Sequence, residues 1–117
     1  MTTKTYKVLG QSAPAAATPT DLYVVPASSQ AVISTLKIAN RNPTEAAPYR
    51  IAVVPSGESI GTKHYIVYDK FLDPRDDRSL TIGISLRAGD KIVVYGGTAD
   101  LSFSLFGVEF TNITSTV

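Results

Sequence analysis

The chain contains no cysteine and no tryptophan, and only one methionine and one histidine among its 117 residues. Without cysteine there is no disulfide scaffold, no thiolate metal site and no thiol nucleophile. Stability has to come from packing or from association. No run approaches the ~20 apolar residues of a membrane helix. The opening Met1-Thr2-Thr3-Lys4-Thr5-Tyr6-Lys7 lacks the basic and apolar regions of a secretory signal, so synthesis and folding in a cytoplasm are expected. Single-sign charge is missing too. Eleven Lys and Arg stand against ten Asp and Glu with no long run of either, which leaves no electrostatic footprint for nucleic acid or an anionic membrane. At 44% hydrophobic and 18% charged residues the composition is globular. It is slightly poor in charge for a free monomer, which hints at surface covered by a partner.

Helical periodicity is also absent. The best window, Ala13 to Ala17, contains Pro14 and is followed by Pro19. What the chain does contain is a series of short runs rich in Val, Ile, Thr, Tyr and Phe, each closed by Gly, Pro, Asn or Asp. They are Tyr6–Leu9, Leu22–Val25, Ala31–Ala39, Tyr49–Val54, Lys63–Phe71, Leu80–Ser85, Ile92–Tyr95 and Leu101–Leu105. Stiff, branched or bulky side chains suit a pleated surface, and proline at strand ends gives up no ladder hydrogen bond. About eight strands, each with one apolar face, need a second sheet to bury those faces. The expected fold is therefore all-β: one antiparallel β-sandwich over residues 1–117, jelly-roll-like, with an immunoglobulin-like Greek key as the second topology. An extended Ala/Pro/Thr segment is expected at 12–20 and a polar C-terminal tail at 111–117. Within Ala31–Ala39, simple alternation puts Val32, Leu36 and Ile38 on one face and Ile33, Thr35 and Lys37 on the other. Within Lys63–Phe71 it opposes Ile66 and Tyr68 to Tyr65 and Val67.

Residues able to do chemistry are few. His64 has no second histidine for a metal and no evident nucleophile beside it, and it is read as a structural residue within a strand. Asp69, five positions on, falls on the opposite strand face. The cluster Asp73-Pro74-Arg75-Asp76-Asp77-Arg78 offers oxygen ligands for calcium, but two arginines offset its charge and the EF-hand glycine spacing is missing. It is read as a solvated turn. Gly57-Glu58-Ser59-Ile60-Gly61 lacks the Lys-Ser/Thr ending of a phosphate loop, and Gly96-Gly97 is read as a hairpin turn needing positive φ. No catalytic residue, cofactor or metal site is expected, and the chain is read as a non-enzyme. Tyrosine is the remaining resource. Tyr65 and Tyr95 lie on the less hydrophobic sides of their strands and are the candidate contact surface.

Three stretches together carry a likeness. Thr5-Tyr6-Lys7-Val8-Leu9-Gly10-Gln11 leads to Asp21-Leu22-Tyr23-Val24-Val25-Pro26-Ala27. Ala31-Val32-Ile33-Ser34-Thr35-Leu36 follows with Ala39-Asn40-Arg41. Thr81-Ile82-Gly83-Ile84-Ser85-Leu86 and Leu101-Ser102-Phe103-Ser104-Leu105-Phe106-Gly107-Val108-Glu109 complete it. The whole resembles small virion-associated structural proteins of tailed bacteriophages. The resemblance implies an accessory protein of the particle, a head decoration (cement) protein or a tail-, baseplate- or fibre-associated one. It implies a location in the virion, other virion proteins as partners, and a homo-oligomer with a trimer favoured. No functional residue is transferred by it.

Overall fold

A computed structural model describes residues 2–112. Eight strands run in chain order: β1 Thr2–Ser12, β2 Thr20–Val24, β3 Ser29–Asn40, β4 Ala47–Val54, β5 Tyr65–Leu72, β6 Asp77–Arg87, β7 Lys91–Gly96 and β8 Leu101–Asn112. A single 3-10 turn, Thr62–His64, precedes β5. They form two four-stranded antiparallel sheets with orders β1-β8-β3-β6 and β2-β7-β4-β5. Every connection except β4–β5 passes from one sheet to the other, which is the jelly-roll order. The expected β-sandwich is the fold, and each predicted run coincides with one of its strands, except that Val25 falls just past β2 and Lys63 and His64 fall in the 3-10 turn before β5.

The core fills the space between the sheets. Ile33, Leu36 and Ile38 of β3, with Leu101, Phe103 and Leu105 of the adjacent β8, face Tyr49 and Ile51 of β4 and Ile92 and Val94 of β7, all fully buried or nearly so. Each such aliphatic side chain contributes about 1.5–3 kcal/mol relative to leaving it exposed. Edge strand β6 keeps the predicted alternation, with Leu80, Ile82 and Ile84 turned inward and packed on the core from its margin.

Two expected face assignments are corrected. In β3, Ala31 and Ile33 point inward, and so do Leu36 and Ile38, whereas Val32 is exposed. The change of phase occurs at Ser34, where β3 carries one extra residue against Phe106 and Gly107 of β8. A bulge of this kind shifts every later side chain to the other face. β1 bulges at the same level, Leu9 being the extra residue between Val8 and Gly10. Both bulges flank Gly107, where an added Cβ would overlap the Val32 carbonyl oxygen and crowd Leu9. The glycine lets three strands approach at the bend.

Gly96 and Gly97 are likewise not a hairpin turn. Neither has positive φ, and β7 and β8 belong to different sheets. The Gly97 N–H donates to the Pro48 carbonyl at 2.8 Å, and a Cβ there would strike the Pro48 ring. Residues 13–19 carry the chain from β1 to β2, with Pro14 buried and the Ala17 N–H donating to the Gly96 carbonyl at 2.8 Å. Of the predicted tail, Thr111 and Asn112 end β8, and residues 113–117 lie outside the described residues.

A buried polar latch ties the sheets at one end. Asn40, the last residue of β3, donates through Nδ2 to the carbonyls of Leu72 and Glu45, both at 3.0 Å, and of Asp73 at 3.2 Å. Its Oδ1 accepts from the Asn42 N–H at 3.0 Å. Asn40 thus binds backbone from the end of the opposite sheet.

Candidate contact surface

The two predicted tyrosines come together on the outer face of the β2-β7-β4-β5 sheet. Tyr95 of β7 stands directly across from Arg50 of β4, and Tyr65 of β5 across from Ala52. Between them lies Tyr68, which alternation had placed on the face opposite Tyr65. The reason is again bulging. β5 carries extra residues on either side of Val67 in its register with β4, and Asp69 takes a left-handed φ of 53°. Tyr65, Tyr68 and Phe71, spaced by three, therefore share the outward face while Val67 packs on the core.

The rings form a ladder around one cation. The Arg50 guanidinium lies 4.2 Å from the ring centres of both Tyr68 and Tyr95, and the Tyr65 and Tyr68 rings meet edge to face at 5.0 Å. Arg50 donates to the Asp69 carboxylate through Nε at 2.6 Å and through Nη2 at 3.1 Å. That two-pronged pair holds Asp69 below its ordinary value and raises Arg50 above its own. Arg50 is thus oriented on both faces and along its edge. Tyr68 and Phe71 remain 58% and 61% exposed. A rigid aromatic–arginine surface of this composition suits protein contact.

The β4–β5 connection borders this surface. It folds back on β4, and the outward-facing Ala52, Val54 and Val93 are buried as a small satellite cluster with Tyr65. His64 belongs to this connection, in the 3-10 turn rather than in a strand as expected. It is buried, with the Gly61 N–H donating to Nδ1 at 2.8 Å and Nε2 placed 3.0 Å from Glu58 Oε1. The Gly61 donor fixes the tautomer, so Nε2 carries the proton and donates to the carboxylate. His64 and Lys63 hold Glu58 below its ordinary value. Both ring nitrogens of His64 are engaged in closing its own loop.

The acidic turn disperses its carboxylates. Asp77 pairs with Lys37 at 2.7 Å and is held below its ordinary value by it, while Asp76 accepts from the Asp77 N–H at 2.8 Å. Among the described residues no three His, Cys, Asp or Glu side chains converge as a metal group. Among them, too, no helix is long and apolar enough to cross a membrane.

Sequence reasoning missed Arg50, Tyr68 and Phe71. Their signal was present only as an Arg-Ile-Ala-Val run facing a Tyr-Ile-Val-Tyr run, and the register needed to superpose them was not. No protein-family model matches the chain, and no curated protein matches it. Among solved structures, a chain of the T13 IBDV viral particle, reported as a missing link in the evolution of icosahedral viruses, aligns with a TM-score of 0.55. The alignment covers 93% of this chain at 12% identity, and this chain spans 30% of the length of that one. At that identity the likeness is one of fold: this chain is built as a jelly roll similar to one found in an icosahedral virus particle.

Proposed function

We propose that this protein is a non-catalytic structural component of a virus particle, acting as a head decoration protein of a tailed bacteriophage. In that role it braces the shell through contacts with other virion proteins and with further copies of itself, a trimer being the favoured form. The observation that carries the reading is the strand order β1-β8-β3-β6 and β2-β7-β4-β5, together with the fold likeness to a chain of the IBDV particle. The fold alone serves many functions. The surfaces add support, because the outer faces of both sheets carry exposed aromatic or aliphatic side chains that a solitary monomer leaves in water. No cofactor, nucleic acid or membrane is required.

The second reading is a tail, baseplate or fibre module that binds carbohydrate. The exposed rings of Tyr68 and Phe71, which can stack on sugar faces, favour it. Antibody labelling of intact source particles in the electron microscope separates the two. Label over the head is the expected result. Label confined to the tail, with binding on a glycan array that Tyr68→Ala abolishes, establishes the second reading. Particles that carry no label refute both.

A further inference from the structure

The outer face of the β1-β8-β3-β6 sheet is chemically divided along its strands. Toward one end, cross-strand rows bring together Tyr6 and Val8 of β1, Phe106, Val108 and Phe110 of β8, and Val32 of β3. Tyr6 is 72% exposed, Val8 48%, Val32 38% and Phe106 37%. Toward the other end the same face is polar, with Gln11, Ser104, Lys37 and Ser79 in the corresponding rows. The patch lies where the Ser34 bulge turns Val32 outward, so that one local irregularity both buries Ile33 and completes the exposed surface.

The charges on this face are also uneven. The apolar end carries Lys4 in the first row, its ammonium 5.4 Å from the Tyr6 ring centre, and Arg87 across the sheet in the same row. Glu109 points to the other side, where it accepts from the Tyr23 hydroxyl at 2.6 Å. Among the described residues, the outward carboxylate of these strands is that of Asp77, at the polar end and bound to Lys37. The apolar patch is therefore bordered by basic groups without local acidic partners.

Taking the chain as a particle component, as proposed above, we infer that this face is a docking surface for a different protein of the particle, one presenting an apolar patch bordered by carboxylates. Four strands about 4.8 Å apart and roughly 11 residues long at about 3.3 Å each give a face on the order of 700 Å². That is close to the ~800 Å² per partner of a specific interface. A second copy fits the same face less well. A two-fold axis along the strands lays apolar half on apolar half, but it sets Lys4 of each copy over Arg87 of the other. An axis across the strands, through the middle of the face, lays each apolar half on a polar half. Sliding the copies until only the apolar rows meet leaves about half the face in contact, short of a specific interface. A partner with acidic borders satisfies both the apolar rows and the two cations.

Rebinding to particles tests this. Source particles freed of the protein are mixed with the purified full-length chain, and bound copies are quantified after sedimentation. Tyr6→Ala is expected to weaken binding at least tenfold, and so is the pair Lys4→Glu with Arg87→Glu. Wild-type binding should also weaken as salt rises from about 0.05 to about 0.5 M. Glu45→Lys, exposed and off this face, should bind within about twofold of wild type. All substituted side chains are exposed, and a melting temperature near that of wild type certifies each fold. Tight wild-type binding undiminished by either face variant overturns the docking surface and leaves the virion reading intact. Failure of the wild type to bind particles overturns both. A wild-type dimer in sedimentation equilibrium that Tyr6→Ala dissolves makes a second copy the occupant and overturns the choice of partner.

Discussion

At the residue scale the most consequential side chain is Asn40, a polar group sealed at the meeting of the two sheets. Its amide serves three carbonyls and its oxygen serves one N–H, so no single replacement keeps both halves. Asn40→Ala is expected to cost about 3 kcal/mol in urea denaturation, since buried carbonyls left without donors cost about 1–3 kcal/mol. Asn40→Asp should cost more, because it turns a carboxylate toward those same carbonyls. Equal stability of Asn40→Asp and wild type would show that the latch contributes nothing. Asp69 gives a pH-dependent counterpart. Arg50 holds its carboxyl below the ordinary 3.8, so its contribution is present above that value and is lost as pH falls through the lowered one. The melting-temperature gap between wild type and Asp69→Asn should therefore be open at pH 5–6 and narrow as pH falls below the ordinary 3.8. A gap that persists unchanged to pH 2 would contradict the pairing.

At the element scale, bulges rather than the alternating pattern decide which residues meet. The extra residues in β5 set Tyr65, Tyr68 and Phe71 on one side, and the extra residues in β1 and β3 bend the first sheet at Gly107. Two glycines in this sheet have different reasons to be glycine. Gly83, in β6, has φ of 57° and open space around it, so Gly83→Ala should cost only the left-handed strain of about 1–2 kcal/mol. Gly83→Asn should cost less. Gly107 has no room, and a Cβ there meets the backbone of β3. Gly107→Ala should cost about 3 kcal/mol or more through forced strand separation. Urea midpoints of the three variants check the order. If Gly107→Ala were the mildest, the close approach of β3 and β8 would be refuted. The edge strands also carry deterrents to further pairing. Arg78 of β6 and Lys70 of β5 stand opposite the inward residues Ile38 and Tyr49, and inward charges on an edge discourage addition of another strand.

At the scale of the whole molecule, the first and last strands pair with one another. Thr2 lies opposite Asn112, and β8 is clamped between β1 and β3. Nearly all the pairing is therefore distant in sequence, and loop closure has to precede the contacts that compensate for it. Folding on the millisecond-to-second scale is expected, measured by stopped-flow tyrosine fluorescence. Completion within microseconds would contradict a closure step of this kind. The same topology leaves exposed the outer face of the β1-β8-β3-β6 sheet and the part of the other sheet's outer face that the β4–β5 connection does not cover. One carries the aromatic–arginine ladder and the other the apolar rows with basic borders, which suits a piece that fits between other components.

The sequence by itself determined the fold class and the number of strands, because strand propensity and turn chemistry act over a few neighbouring residues. Proline, glycine and asparagine between runs of Val, Ile, Thr and Tyr mark strand ends wherever those strands later pack. It also brought out Tyr65 and Tyr95, from their place beside more apolar neighbours. Only the tertiary structure decided which side chains share a face beyond Ser34, Ile66 and Asp69. One unpaired residue reverses a period of two, and whether it is unpaired depends on a partner strand far away in the chain. For the same reason the stacking of Arg50 on Tyr68, the latch at Asn40 and the outward turn of Val32 became visible only when the strands were laid in register. Each depends on which residue of a distant strand lies opposite, and local preference does not encode that.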